Sequence, residues 1–265
     1  MTTLGADNAG ETFTLPGGVS IRLAWAAETD VGRRRKANED SYIARMPVFA
    51  VADGMGGHLS GDLASAAVVD RLDQMITGEF VAPQLVEVAL EEATRDIGII
   101  AGDSELGVGT TVTGTVLTLV DGVPNFAVFN IGDSRVYRFE RNSLRQVTVD
   151  HSLVQEMFEA GEITKSQAAK HPDGNIITRA VGFHSQPTPD FWMLPLKKGM
   201  RLIICSDGLT GEVDDKRIRL NLAAGLSPTE TAGALVDAAL ASGGRDNITV
   251  IVIEVLAVEV VPPTG

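Results

Sequence analysis

The chain is predicted to be an α+β protein built from antiparallel sheets with helices packed outside them. Three observations carry that prediction. Strand-like apolar runs come in groups, and the repeating strand–helix–strand order of a parallel sheet is absent. Asp121-Gly122 lies between two alternating apolar runs, the signature of a tight antiparallel hairpin. Stretches with helical periodicity come in two pairs, one in the first half of the chain and one near its end.

Residues 1–18 are polar and Gly/Thr-rich, and are expected to form a flexible N-terminal arm. One domain is expected over 19–258, followed by a short tail at 259–265. Ile21 to Ala27 is the first strand. Ser41 to Arg45 and Val48 to Ala52 read as a hairpin turning near Met46-Pro47. Gly61 to Ile76 and Gln84 to Ile100 carry apolar residues at helical spacing and can form an antiparallel pair. Thr110 to Val120, Val123 to Ile131 and Arg135 to Glu140 are strands, so the run from Thr110 to about Thr148 reads as one antiparallel meander. From about 150 to 185 the chain turns polar, with short helical pieces over Ser152 to Ala160 and Lys165 to Lys170. Such a segment edges a binding site. Phe191 to Leu194 and Met200 to Ser206 are strands, and Asp214 to Ala223 and Thr229 to Ala241 are helices. Pro228 stands near the start of the second, where proline is tolerated. Ile248 to Val258 is the last strand.

Composition narrows the function. Hydrophobic residues make up 44% of the 265, enough for a large core. A formal net charge of −13 argues against non-specific binding to nucleic acid or to an anionic membrane surface. Cys205 is the only cysteine, which excludes an internal disulfide and a thiolate metal cluster. No apolar run approaches a membrane span, and residues 1–18 lack the pattern of a signal peptide. A cytoplasmic monomer is the expectation.

Four segments share one design, an apolar strand that ends or begins beside an acid next to a glycine or other small residue. They are Val51-Ala52-Asp53-Gly54, Asn130-Ile131-Gly132-Asp133, Cys205-Ser206-Asp207-Gly208 and Arg245-Asp246-Asn247. Asn38-Glu39-Asp40 adds a fifth acidic corner. Any one of these acids can cap a helix or form a turn. Converging together they would repel one another without a cation, and an all-oxygen donor set selects Mg²⁺ or Mn²⁺ over zinc. The basic run Arg33-Arg34-Arg35-Lys36 is either a solvated loop or the source of an anion-binding arginine, with Arg35 able to hold phosphate oxygens through a bidentate contact.

In these motifs the chain resembles the bacterial type 2C, metal-dependent Ser/Thr protein phosphatases, the PPM family. The matching pieces are DVGRRRKANED at 30–40, VADGMGGH at 51–58, GVGTT at 107–111, NIGDSRVY at 130–137, DHS at 150–152, CSDGL at 205–209 and GGRDNIT at 243–249. The resemblance implies a four-layer α-β-β-α sandwich, two antiparallel sheets flanked by helix pairs. It implies that Asp53 bridges two Mn²⁺ or Mg²⁺ ions, with the Gly54 carbonyl on one and Asp207 and Asp246 completing the other. Asp40 and Glu39 would hold metal-bound water, Arg35 the substrate phosphate, and Asp133 with Asp207 a third, weaker metal. The segment at about 150–185 would be a flap that influences substrate choice. Phosphoserine and phosphothreonine would be hydrolysed by direct attack of a metal-bound hydroxide, in opposition to a cognate Ser/Thr kinase. His58 matches the bacterial GGH variant, as a candidate general acid or as a structural residue beside a glycine turn. Two rivals stand beside this reading: a phosphopeptide-binding domain without turnover, and a hydrolase of small phosphate esters. No Walker-type loop supports nucleotide binding.

Overall fold

The computed structural model describes residues 1–15, 18–56, 60–102, 107–168, 170–183 and 186–260. The strands are β1 (Thr3–Gly5), β2 (Asn8–Leu15), β3 (Val19–Asp30), β4 (Asp40–Arg45), β5 (Val48–Met55), β6 (Gly109–Thr110), β7 (Val112–Val120), β8 (Val123–Ile131), β9 (Arg135–Glu140), β10 (Ser143–Gln146), β11 (Asp190–Pro195), β12 (Arg201–Cys205) and β13 (Ile248–Val260). The helices are α1 (Gly61–Gln74), α2 (Pro83–Ala101), α3 (Leu153–Glu159), α4 (Lys165–Ala168), α5 (Asp207–Thr210), α6 (Asp215–Ala223) and α7 (Pro228–Ser242). One sheet runs β1-β4-β5-β7-β8-β11, with β6 beside β5, and the other runs β10-β9-β12-β13-β3-β2. The fold is mixed α+β.

Strand alternation builds the core. Along β5, Val48, Ala50 and Ala52 face a cluster shared with Leu72 of α1 and with Leu90 and Ile97 of α2. Phe49 and Val51 face the opposite way, into a cluster that unites both sheets through Trp25, Phe126, Leu202, Ile204 and Ile251. On the second sheet, Ile203, Val250 and Val252 point to a third cluster with Ile218, Leu222, Leu235 and Val236 of α6 and α7. A strand covered on both faces reads as an unbroken apolar run, which is how β5, β12 and β13 look in sequence. Arg71 of α1 donates to both carboxylate oxygens of Asp96 on α2, at 2.6 and 2.9 Å, and ties that helix pair together. A reciprocal Ser227–Glu230 capping box opens α7, with Pro228 in its first turn.

Three expectations are corrected. Of the arm expected over 1–18, residues 3–5 and 8–15 are strands, since β1 adds to the first sheet parallel to β4 and β2 adds to the second antiparallel to β3. The reason is long-range: the open edges of β4 and β3 offer backbone partners, and the Trp25 indole N–H donates to the carbonyls of Ala6 and Ala44 at 3.0 Å each. The β1–β4 pair also makes the first sheet mixed, where two wholly antiparallel sheets were expected. Glu259 and Val260 belong to β13 and not to a tail, because Glu259 pairs with Ser20 and Val260 with Val19.

The meander is corrected too. β7 and β8 form the expected hairpin, but β9 pairs with β10 and β12 in the other sheet. The chain crosses between sheets at Gly132-Asp133-Ser134. Gly132 has φ +110°, and a Cβ there would lie 2.6 Å from Thr111 side-chain atoms, so the crossing needs glycine. Asp133 is thereby delivered to the gap between the sheets.

Candidate metal centre

The acidic strand ends meet at one edge of the two sheets. Asp53 lies two residues before the end of β5, opposite Asp40, the first residue of β4. Asp207 opens α5 just after β12, and Asp246 lies just before β13, which pairs with β12. Close backbone contact forces the neighbouring glycines: a Cβ on Gly54 would sit 2.1 Å from the Gly61 carbonyl oxygen, and one on Gly208 1.9 Å from that of Asn247. A cleft of about 250 Å³ results, lined by Arg35, Glu39, Asp53, Gly54, Asp133, Asp207 and Asp246, with Met55, Gly56, Thr111, Asn175 and Ile177.

Burial and mutual repulsion dominate its electrostatics. Desolvation, then the charges of Asp40, Asp207 and Asp133, holds the Asp53 carboxyl well above the usual range. Asp133 is pushed up to about 7 by desolvation and by Asp207 and Asp150. Asp207 is raised by burial and by Asp246, against a hydrogen bond from Asp53. Asp40 does not line the cleft. It is 1% exposed, and its Oδ2 accepts from Ser206 Oγ at 2.9 Å and Thr249 Oγ1 at 2.6 Å. Burial still pushes it up to about 7, because the two hydroxyls only partly offset desolvation and the charges of Asp207 and Asp246. The Oδ1 atoms of Asp40 and Asp207 are both buried without a hydrogen-bond partner.

Arg35 Nη2 donates to Asp246 Oδ2 at 2.7 Å, while Asp246 Oδ1 accepts from the Asn247 amide. The arginine expected to hold phosphate thus touches a carboxylate expected to hold metal. Glu39 lines the cleft, and its carbonyl accepts from Gly54 N at 3.2 Å and Ser65 Oγ at 2.6 Å. His58 lies outside the described residues.

Some organising residues were not singled out in sequence. Asn247 accepts from the Glu39 amide at 2.8 Å and donates to the Val31 and Ala37 carbonyls at 2.9 Å each, so it shapes the loop that carries Arg35. Its signal was an asparagine directly beside a site acid. Thr111 Oγ1 accepts from the Asp53 amide at 3.2 Å, and Thr110 Oγ1 donates to the Asp53 carbonyl at 2.8 Å. His151 roots the segment after β10. Its Nδ1 accepts from Gly132 N and its Nε2 donates to Asp190 Oδ2, both at 3.1 Å, and burial lowers its pKa. Asn175 and Ile177, from the same segment, reach the cleft.

Among the described residues, no group of three His, Cys, Asp or Glu side chains stands ready-made to hold a metal ion. Donor chemistry nevertheless fits a hard cation: clustered oxygen ligands, raised carboxyl pKa values and an orphaned buried oxygen on Asp207. A cation taken by Asp246 would share or displace its contact with Arg35.

Fold and cleft together define a carboxylate-lined site of the kind that binds divalent cations. The protein phosphatase 2C family model matches residues 33–241. The serine/threonine phosphatase stp of Listeria welshimeri is 36% identical over 241 residues, covering 85% of this chain and 93% of its own. The crystal structure of the Mycobacterium tuberculosis serine/threonine phosphatase PstP/Ppp superposes with a TM-score of 0.81 at 34% identity, covering 88% of this chain and 98% of that one. A structure of the PstP catalytic domain in complex with two manganese ions gives 0.79 at 33%, covering 89% and 99%. The chain belongs to the protein phosphatase 2C family.

Proposed function

We propose that this chain is a metal-dependent protein Ser/Thr phosphatase that hydrolyses phosphoserine and phosphothreonine and opposes a Ser/Thr kinase in bacterial signalling. The carrying observation is that Asp53, Asp133, Asp207 and Asp246 line one cleft of about 250 Å³ with Arg35 at its wall. Asp53, the Gly54 carbonyl, Asp207 and Asp246 would hold two Mn²⁺ or Mg²⁺ ions, and Asp133 with Asp207 would hold a third, weaker one. Such cations, when bound there, would supply an activated water and neutralise the phosphate. Arg35 orients the phosphate, bidentate on two oxygens. Glu39 at the wall and Asp40 behind it, bonded to Ser206 and Thr249, would support the frame around that water. The three apolar clusters support a four-layer α-β-β-α stacking, which leaves this edge of both sheets open to substrate. Membership of the family supports the substrate class. Turnover of p-nitrophenyl phosphate and of a phosphothreonine peptide, with Mn²⁺ and with chelator, is the test. Metal-dependent hydrolysis of both is expected. Binding without turnover would favour a recognition domain, and turnover of the small ester alone a small-molecule hydrolase.

A further inference from the structure

The loop from Gly243 to Asn247 carries Asp246 between the end of α7 and the start of β13. On one side the loop of Arg35 holds it: the Arg33 amide donates to the Gly244 carbonyl at 2.6 Å, and a Cβ on Gly32 would sit 2.1 Å from the Asp246 carbonyl oxygen. On the other side it meets the turn that follows Asp207. α5 is a single turn, closed by the Gly211 amide on the Asp207 carbonyl at 2.7 Å, and Glu212 comes next.

Glu212 fastens that turn to the loop of Asp246. Its Oε1 accepts from the Arg245 amide at 3.0 Å and from Arg245 Nε at 2.7 Å, and Arg245 Nη2 donates to the Gly211 carbonyl at 2.9 Å. The Glu212 side chain is 5% exposed and that of Arg245 is 70% exposed, so the carboxylate is the inner partner and the guanidinium closes over it. The carboxylate also lies against Gly243, where a Cβ would come within 3.0 Å of Oε2. Desolvation raises the Glu212 carboxyl, but the bonds from Arg245 outweigh it and hold the group below its ordinary range. Neither residue lines the cleft of Asp53, though both border the wider groove beside it. The two acid-bearing segments thus touch where Gly208 meets Asn247 and again where Glu212 meets Arg245, which immediately precedes Asp246.

After burial, the charge of Asp246 is the leading influence that raises the Asp207 carboxyl, so the two acids repel one another across this junction. We propose that Glu212 and Arg245 are positioning residues for the divalent-cation site of Asp207 and Asp246, a clamp that keeps the two carboxylates together before the cation arrives. The proposal rests on the metal-dependent reading above and gives roles to two residues which that reading leaves unused. Without the clamp the repelling carboxylates drift apart in the metal-free protein, and drawing them back costs the cation part of its binding free energy. The effect therefore falls on metal affinity, and excess metal reverses it.

The test is Mn²⁺ binding, followed by the paramagnetic resonance signal of the free ion, for wild type, R245A, E212A/R245A and R217A. Arg217, which bonds Ser242 Oγ at 2.8 Å outside the clamp, is the control. R245A should bind Mn²⁺ about threefold more weakly and the double variant about tenfold more weakly, with R217A like wild type. The sign separates the clamp from a charge effect. Removing an arginine beside Asp246 would by itself tighten cation binding, and removing the whole pair would leave it level. A tighter R245A, or an unchanged double variant, would overturn the proposal. So would variants that melt lower in chelator but keep the wild-type Mn²⁺ affinity, since the pair would then serve folding alone. R245A loses an exposed side chain and keeps the amide bond to Glu212, so its result decides the matter even where the double variant fails to fold. Excess Mn²⁺ should restore p-nitrophenyl phosphate turnover in both variants; a loss that it leaves in place would also count against the clamp. Wild type that binds Mn²⁺ but hydrolyses no phosphate ester would instead sink the phosphatase reading and leave the clamp standing, so the two failures are distinguishable.

Discussion

Asp40→Asn should stabilise the metal-free protein at alkaline pH while damaging turnover. Asp40 is 1% exposed, and its carboxyl rises from 3.8 to about 7. The sign follows from the direction. A raised carboxyl is protonated in the fold at pH values where the unfolded chain is already ionised, so its contribution is intact below about 4 and is lost as pH rises through about 7. At ~1.4 kcal/mol per pH unit the full difference is ~4 kcal/mol, an upper figure because the neighbouring acids titrate together. Asparagine keeps an acceptor for Ser206 and Thr249, but its amide takes the place of Oδ1, which has no partner. An unsatisfied buried donor costs about 1–3 kcal/mol. The net gain at pH 8 in chelator is therefore about 1–3 kcal/mol, or roughly 2–10 °C in melting temperature for a chain of this size. At pH 5 wild type has lost only ~1.6 kcal/mol of that difference, about what the amide penalty costs, so the variant should melt level with wild type or below it. Excess Mn²⁺ should shrink the advantage at pH 8, because bound cations offset the same charge. Calorimetric or fluorescence melts of both proteins at pH 5 and 8, with and without Mn²⁺, read all four conditions. A variant that melts below wild type by the same margin at both pH values in chelator would refute the argument.

Four further outcomes are expected. Asp246→Ala should lower Mn²⁺-dependent turnover by orders of magnitude with a largely intact fold, checked by kinetics alongside circular dichroism; near-normal turnover would remove Asp246 from the metal set. Arg35→Ala should raise KM for a phosphate ester more than it weakens Mn²⁺ binding, whereas Arg33→Ala and Arg34→Ala should do little; equal KM effects from all three would mean a general basic field. Asp133→Ala should keep its melting point yet lose turnover, most visibly at low Mn²⁺, in a metal titration; early melting with normal turnover would return Asp133 to a purely structural crossing. Deleting residues 1–15 strips strands from both sheets and the Ala6 acceptor from the Trp25 indole, so melting should fall by several degrees; an unchanged melt would mean those strands add nothing.

The sequence by itself determined which acids meet in the cleft. Acid beside glycine at a strand end is a local pattern, and it marked Asp53, Asp133, Asp207 and Asp246, all of which line the cleft. Hairpins and amphipathic helices are local too, so the β7–β8 pair and the helices α1, α2, α6 and α7 were legible from spacing and turn residues. What the tertiary structure decided depends on partners far away in the chain. Asp40 meets Thr249 across 209 positions and Arg35 meets Asp246 across 211, so no local pattern could show that one is sequestered behind the wall and the other paired. The crossing at Gly132 looked like a turn because its outcome was set by whether β9 found β8 or β12, a competition between distant strands. For the same reason residues 1–15 read as an arm: weak strand formers become strands only when the open edges of β4 and β3 are there to accept them.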